Sequence, residues 1–354
     1  CRKSRTARVI QMIKVGLIGV GKIAETFHLP AWSQVVGAEV VALVDPRIDA
    51  AKEVGREYGI NNVFDTIENM LNGPKIDAVD ICSPHIFHTE HAFKSLEAGL
   101  HCIIEKPFAI DKQNAEKIAA EAKKHELIVM CAQHQRFRSE SILLKSKIDS
   151  GELGEIYHAN LEAMASRGVP VQIANSFTDK RLSGGGPLID QGSHAIDLAW
   201  WLMGCPSPLS AFAVMHDGTA PRAGTTKNGA EWDVYNVEDF ATGIVRFKNN
   251  KSITIRTSYF SNCVEDVFSC EILGTKGGIT WPDIIITKPY GNDVKRKRLK
   301  IDNSSLASVA ELSHFTSLIK GSDQAIVPLR QSVELIEIID GLYESATTQQ
   351  THYF

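Results

Sequence analysis

The feature that most constrains the fold of this chain is an alternation of short apolar runs with helical patterns in its first third. Within each run the apolar residues follow one another without strict alternation, which is typical of strands buried on both faces of a sheet. The runs are residues 13–19, 39–45, 77–83, 101–107 and 127–133. Helical patterns, such as residues 48–59 and 112–126, separate them. Because strands that alternate with helices pair in parallel, this region predicts a doubly wound parallel sheet.

The pattern changes after about residue 136, where polar and apolar residues begin to alternate. Alternating segments bounded by glycine-bearing turns occupy residues 156–166, 239–247, 251–259 and 266–274, and further helices are predicted over residues 141–154 and 332–347. Such alternation is typical of a largely antiparallel sheet with one open face. We therefore predict an α/β protein of two domains, a doubly wound domain over residues 12–135 and an α+β domain over residues 136–354.

Charge and hydropathy exclude several classes of protein. The 354 residues carry a formal net charge of −4, so we expect no nucleic-acid partner, and the basic run at 295–298 is interpreted as a solvated loop. No apolar stretch approaches the roughly 20 residues that span a bilayer, so we expect no membrane segment.

The chain start and the cysteines bear on location. Residues 1–11 are basic but lack the apolar region of a secretory signal, so we take Met12 as the expected start and set residues 1–11 aside. None of the seven cysteines forms a C-x-x-C pair, which suits a reducing compartment. We therefore expect a cytoplasmic protein.

The first chemical motif is GVGKIA, which follows the first predicted strand. Gly19 permits a tight turn, Gly21 lets a pyrophosphate approach the backbone at the start of the next helix, and Ala24 allows close helix packing. Asp45 ends the second predicted strand, where a carboxylate binds the adenosine ribose and repels a 2′-phosphate, although Arg47 could assist such a phosphate. We predict a Rossmann domain that binds NAD, with NADP as the alternative. The residues assigned to this half of the cofactor are Gly19, Gly21, Lys22, Ile23, Ala24, Asp45 and Arg47.

A charged pair ends the strand predicted over residues 101–107. Ligands of open α/β sheets bind outside the carboxyl ends of the strands, so Glu105 and Lys106 should emerge beside the nicotinamide half of the cofactor. Pro107 cannot continue a central strand and biases Lys106 toward an extended conformation. An ordinary solvated Glu-Lys pair is the alternative.

A second constellation lies in residues 183–204, where three glycines and a proline precede what reads as the opening of an amphipathic helix. Asp190 and His194 stand four residues apart, so their side chains can share one helix face, and Asp197 extends that stripe. A histidine is a natural general base for a secondary alcohol, and a lysine ammonium can stabilise the developing alkoxide. Taken alone, the Asp190 and His194 pair would be structural.

Three stretches together resemble the Gfo/Idh/MocA family, named for glucose-fructose oxidoreductase, inositol dehydrogenase and a rhizopine catabolism protein. They are GVGKIA, residues 82–107 and residues 184–204. The resemblance implies hydride transfer between nicotinamide and a secondary hydroxyl or ketone of a sugar, glycoside or cyclitol. It also implies a homodimer or homotetramer built on the open sheet.

Carried over position by position, the resemblance assigns catalysis and substrate binding to Lys106, Asp190 and His194. It places the cofactor at Ser83, Pro84, His88, Glu105 and Lys106, and further substrate contacts at Arg136 and Arg167. The chain departs from the family at His85, where many members have Asn, and at Gln191, which replaces an apolar residue.

Two other classes are weighed against this one. A dinucleotide-binding regulatory protein without catalysis would keep the glycine motif but would not need both Lys106 and His194. A metal enzyme is suggested by the spacing of His85, His88 and His91, but no H-E-x-x-H motif or cysteine pair accompanies them, so we predict no metal site. Trp232 and Tyr235 are candidates for stacking on a sugar ring, with a plain surface role as the alternative.

Overall fold

The computed structural model of the chain describes residues 12–169, 176–223, 232–301 and 306–354. Residues 1–11, set aside in the fold prediction, lie outside these ranges. No helix within the ranges is long and apolar enough to cross a membrane.

The first sheet contains six strands from the described residues, and every neighbouring pair is parallel. The strands are β1 (Ile13–Ile18), β2 (Ala38–Val44), β3 (Asn62–Phe64), β4 (Ala78–Ile81), β5 (His101–Glu105) and β6 (Val129–Ala132). Their order is β3-β2-β1-β4-β5-β6, which confirms the predicted doubly wound sheet. The short β3 was not predicted, because its three residues are only partly buried and carry little apolar pattern.

Helices follow most of these strands. All four residues of β4 are buried, so the centre of the sheet is covered on both faces. The helices are a π-helical turn (Ala24–His28), α1 (Leu29–Trp32), α2 (Ile48–Tyr58), α3 (Ile67–Leu71), α4 (His88–Glu97), α5 (Lys112–Lys124) and α6 (Ser139–Asp149). Short 3₁₀ turns cover His85–Phe87 and His134–Phe137.

The second sheet takes nine strands from the described part of the chain, in the order β14-β13-β12-β11-β7-β10-β9-β8-β15. Only β7 and β10 pair in parallel, which confirms a largely antiparallel sheet. The strands are β7 (Ile156–Met164), β8 (Pro208–His216), β9 (Phe240–Phe247), β10 (Ser252–Ser258), β11 (Val267–Gly274), β12 (Gly277–Trp281), β13 (Ile285–Tyr290), β14 (Asp293–Arg298) and β15 (His352–Tyr353).

Two helices of this second part, Gln191–Leu202 and Leu329–Thr348, pack against the sheet and leave part of its other face open. Phe212, Val214 and Ile244 are exposed on that open face, and Phe212 lies opposite Ile244 in the ladder. The helices are α7 (Lys180–Ser183), α8 (Gln191–Leu202), α9 (Ala220–Ala223), α10 (Ala307–Ile319) and α11 (Leu329–Thr348), with a 3₁₀ turn at Lys248–Asn250.

The basic run at residues 295–298 is not a loop, so that interpretation was wrong. It forms most of β14, which is the strand at the edge of the second sheet and pairs with β13. All six residues of β14 are exposed. Lysine and arginine on an exposed edge strand discourage pairing with other chains. The charge therefore identified a solvated segment but could not distinguish an edge strand from a loop.

Candidate active site

A cleft of about 550 Å³ opens at the carboxyl ends of the strands of the first sheet. In open α/β sheets nucleotides bind at the point where the strand order reverses, which here lies between β1 and β4. Ala24 is fully buried, which suits its predicted packing role. Every other predicted cofactor residue lines the cleft: Gly19, Gly21, Lys22, Ile23, Asp45, Arg47, Ser83, Pro84, His88, Glu105 and Lys106.

The glycine turn forms the floor of this cleft. Gly19 has a φ of +92°, in the left-handed region that favours glycine, and a Cβ there would lie 2.6 Å from the backbone nitrogen of Ser83. Its own N–H donates to the carbonyl of Val44 at 2.7 Å. Only glycine therefore lets the chain after β1 turn this closely against the loop after β4. Such a turn is the one that a bound dinucleotide requires, so the site fits this cofactor.

Asp45 is buried at the end of β2 and is already bonded within the protein. Its carboxylate accepts the Val20 N–H at 2.9 Å and two guanidinium N–H groups of Arg47 at 3.0 Å each. The Arg47 side chain is 62% exposed, and its hydrogen bonds to Asp45 raise its pKa. Arg47 thus offsets the charge that would repel a 2′-phosphate, which weakens the expected discrimination between NAD and NADP.

Histidines tie together the loops that follow β4 and β5. His88 is fully buried, with Nδ1 2.8 Å from the Pro107 carbonyl and Nε2 2.8 Å from the Ser83 carbonyl. His91 Nδ1 lies 2.9 Å from Ser83 Oγ, and His85 Nδ1 lies 3.1 Å from the Ser183 carbonyl. Burial lowers the pKa of His85 and of His91 to about 4. Each ring serves a separate structural contact, so the geometry gives no support to a metal site on these three histidines.

Lys106 connects the cleft to the second constellation. Its Nζ donates to Asp190 Oδ1, and the hydroxyl of Tyr259 donates to Asp190 Oδ2 at 2.7 Å. Burial would raise the pKa of Asp190, but the Lys106 ammonium and the Tyr259 hydroxyl lower it below its ordinary value. The result is a buried ion pair that joins the end of β5 to the start of α8.

His194 lies four residues after Asp190, in the first turns of α8. Among the described residues its buried Nδ1 has no hydrogen-bond partner, and its ring meets that of His134 edge to face at a centroid distance of 4.7 Å. Burial, followed by the nearby charges of Lys106 and His134, lowers the pKa of His194 well below its ordinary value. The imidazole is therefore neutral near physiological pH, which is the form that a general base must have before it accepts a proton.

Helix α8 differs from the predicted amphipathic helix because it is buried on almost every side. It packs between the second sheet and helices α6 and α11. The carboxylate of Asp197, on this helix, accepts two N–H groups from Arg136, at 2.9 and 2.7 Å.

Arg136 was expected to contact substrate, and its position in the structure gives this expectation no support. Its side chain is fully buried, and besides Asp197 it donates to the carbonyl of Ile326 at 2.8 Å and to Gln331 Oε1 at 2.6 Å. A bidentate, desolvated guanidinium of this kind links structural elements and has no free face for a ligand. Sequence alone could not show this, because Asp197 and Gln331 are distant in the chain.

Arg167 lies after β7 and donates to the carbonyl of Ser261 at 2.8 Å, with its guanidinium over the ring of Phe260. Its substrate contact stays a prediction. Trp232 and Tyr235 also pack around Phe260, with ring centroids 5.4 and 6.4 Å from it. These aromatic residues belong to one apolar cluster with Tyr259, whose hydroxyl donates to Asp190.

The glycine-rich turn before Asp190 is held by the buried Glu238 and the partly buried Tyr343. Glu238 accepts the N–H groups of Gly186 at 2.9 Å and Leu188 at 3.0 Å, and the hydroxyl of Tyr343 donates to it at 2.8 Å. A Cβ on Gly185 would lie 2.1 Å from the Tyr343 hydroxyl, and one on Gly186 would lie 2.2 Å from the Glu238 carbonyl oxygen. Glycines are needed because side chains and backbone from elsewhere approach the turn directly.

Sequence reasoning missed several residues of this site. Tyr259 falls at the end of a predicted strand, Glu238 precedes another, and His134 follows a third. Ser176 and Phe177, from a segment with no motif, also line the cleft. A polar or aromatic residue at a strand end was the only available signal, and it is shared by many residues with no such role.

Family models match most of the chain. The model described as the oxidoreductase family with an NAD-binding Rossmann fold matches residues 13–133, and the GFO/IDH/MocA C-terminal domain matches residues 142–280. The chain is 32% identical over 352 residues to D-glucoside 3-dehydrogenase of Escherichia coli strain K12, covering 97% of this chain and 98% of the relative. It is 26% identical over 298 residues to levoglucosan dehydrogenase of Pseudarthrobacter phenanthrenivorans, covering 77% of this chain and 74% of that relative.

Solved structures share the fold. Aldose-aldose oxidoreductase from Caulobacter crescentus, complexed with glycerol, superposes with a TM-score of 0.82 at 21% identity, covering 97% of this chain and all of that chain. A levoglucosan dehydrogenase complexed with NADH and levoglucosan has a TM-score of 0.82 at 20% identity, covering 96% of this chain and 99% of that one. The predicted family and the predicted NAD-binding domain are confirmed. The chain belongs to the Gfo/Idh/MocA family of oxidoreductases.

Proposed function

We propose that this protein catalyses NAD(P)-dependent hydride transfer between nicotinamide and a secondary hydroxyl, or the corresponding ketone, of a sugar, glycoside or cyclitol. The observation that carries the proposal is the contact of Lys106, which lines the cofactor cleft, with Asp190, four residues before His194. When bound, the cofactor supplies the hydride acceptor or donor. The residues of the chain bind the substrate hydroxyl and move its proton.

The proposed roles follow from the charge of each group. His194 removes the hydroxyl proton, which it can do because burial keeps its imidazole neutral. The ammonium of Lys106 offsets the negative charge that develops on the substrate oxygen. Asp190 holds that ammonium in place, and Tyr259 holds the other oxygen of Asp190.

Within this class we favour a neutral sugar or glycoside as the substrate. The Escherichia coli relative named D-glucoside 3-dehydrogenase aligns with almost the whole chain. Within the described residues, the buried Arg136 is paired with Asp197, so it is not available to hold a substrate phosphate. A phosphorylated sugar would then depend on Arg167, the other arginine predicted to contact substrate.

A substrate screen tests this proposal. Reduction of NAD and of NADP is followed with methyl glucosides, glucose, glucose 6-phosphate and inositols. We expect oxidation of a neutral glucoside or sugar, and weaker or no turnover of glucose 6-phosphate. Tight NADH binding without oxidation of any compound would favour the non-catalytic regulatory alternative.

We further infer that the open face of the second sheet forms a homodimer or homotetramer. Phe212, Val214 and Ile244 form an exposed apolar patch on adjacent strands, of a kind that marks interaction sites. Light scattering measures the molecular mass in solution of the native chain and of the Phe212→Asp variant. A native monomer would refute this inference.

A further inference from the structure

His28 occupies an unusual position behind the cofactor cleft. It is the last residue of the π-helical turn that follows the glycine motif, and it is 4% exposed. Its Nδ1 lies 2.7 Å from Asp80 Oδ2 on β4, and its Nε2 lies 2.8 Å from Glu105 Oε1 on β5. Insertions that create π-helical turns often occur at functional sites, and this one directs an imidazole between two carboxylates.

The hydrogen bonds around His28, Asp80 and Glu105 indicate how many protons the His28 ring carries. Asp80 also accepts the Trp32 indole N–H at 2.7 Å and the Cys82 thiol at 3.4 Å, so its oxygens act as acceptors at every described contact. Glu105 Oε2 accepts the backbone N–H of Lys106 at 3.0 Å. Both carboxylates thus receive hydrogen bonds from other donors, and a ring that donates to Asp80 and to Glu105 needs two N–H groups, which only the imidazolium has.

Of the three residues His28, Asp80 and Glu105, Glu105 is the one that lines the cleft. Asp45 and the glycine turn fix the adenosine and pyrophosphate side, so the end of β5 lies on the nicotinamide side. Burial would raise the pKa of Glu105, but the contact with His28 lowers it to about 2. Because Oε1 contacts the His28 ring and Oε2 accepts the Lys106 N–H, the carboxylate is held at both oxygens and has one orientation toward the cofactor.

We propose that His28, as a buried imidazolium, is a positioning residue that fixes Glu105 at the nicotinamide end of the cofactor cleft. Because the Lys106 N–H donates to the other oxygen of Glu105, the same contact fixes the backbone from which Lys106 projects. The effect on cofactor binding rests on the NAD-binding domain alone, whereas any effect on turnover rests on the proposed function.

A double-mutant cycle tests this proposal through the dissociation constant of NADH, measured by fluorescence titration without substrate. The side chain introduced by His28→Gln cannot donate to both carboxylates. We therefore expect this variant to bind NADH about tenfold more weakly, which corresponds to the loss of one charge-assisted hydrogen bond. In a Glu105→Gln background the same change should have an effect of at most about twofold, because residues that act through each other are not additive. Trp32→Phe, which removes a donor to Asp80 but leaves the contact between His28 and Glu105, is the matched control. An unchanged affinity in His28→Gln, or an equal loss in both backgrounds, would overturn the proposal.

A second measurement avoids the risk that a variant fails to fold. Nitrogen-15 NMR of histidine-labelled native chain reports whether one or both ring nitrogens carry a proton. The titratable groups that face His28 are Asp80, Cys82, Glu105, Glu311 and His134. We expect His28 to remain doubly protonated at pH 7.5, and a neutral ring there would refute the proposal. Both measurements remain interpretable if no sugar is oxidised, so failure of the proposed function is distinguishable from failure of this inference.

Discussion

Replacing Lys106 by methionine removes the ammonium and keeps most of the volume of the side chain. In the structure the Lys106 and Asp190 side chains are 12% and 5% exposed, so the substitution leaves a buried carboxylate whose described partner is Tyr259. Breaking a buried ion pair on one side costs about 3 kcal/mol of the free energy of unfolding. Loss of a charge aimed at a developing oxyanion lowers turnover by about 10²–10³-fold.

The assay must separate these two effects. Turnover is measured at saturating substrate, NADH affinity by fluorescence and stability by urea unfolding. We expect Lys106→Met to lose turnover while NADH affinity remains largely unchanged. The double variant Lys106→Met with Asp190→Asn removes both charges, so it should recover much of the lost stability but none of the turnover.

Lys117→Met, on the exposed surface of α5, is the control for a generic loss of one lysine. It should match the native chain in all three measurements. Near-normal turnover in Lys106→Met would refute the reasoning, because it would remove Lys106 from the chemistry. Full recovery of turnover in the double variant would show that the single variant had failed only through instability.

Three further changes have defined outcomes. Tyr259→Phe removes a donor from Asp190 and should lower turnover about tenfold with little effect on NADH affinity; an unchanged turnover would make Tyr259 structural. Gly186→Ala places a Cβ 2.2 Å from the Glu238 carbonyl and should lower the free energy of unfolding by about 2 kcal/mol in urea titrations; native stability would show that the turn can shift. Burial raises the pKa of Asp340 to about 6, so the free energy of unfolding falls as pH rises from about 4, the ordinary pKa of an aspartate, to about 6. Asp340→Asn should therefore gain about 1 kcal/mol at pH 8 over the native chain, allowing for partial exposure, and the gain should vanish at pH 4; an equal gain at both pH values would exclude titration as its cause.

The first sheet could be predicted from the sequence because its strands are buried on both faces and read as continuous apolar runs. Residues of the cofactor cleft could also be predicted, because Gly19, Gly21 and Asp45 stand at strand ends with the spacing that a dinucleotide-binding turn requires. β3 was missed because a three-residue strand gives no periodic signal.

The partners of the site residues could not be predicted in the same way. Tyr259 meets Asp190 across 69 residues of chain, and Arg136 meets Asp197 across 61. Such pairings depend on how two sheets are placed against each other, which no local pattern records. The same reason explains why Arg136, a conspicuous cation near a strand end, was assigned to substrate when it is a buried structural residue.

The Lys106–Asp190 contact has a consequence for how such a chain can diversify. Lys106 leaves a strand of the first sheet, whereas Asp190 begins a helix packed on the second sheet. Neither part alone holds the complete pair, so the second sheet and its loops can change without disturbing the glycine turn or Asp45. New specificities can therefore arise by altering one half of the molecule, as long as this ion pair is preserved.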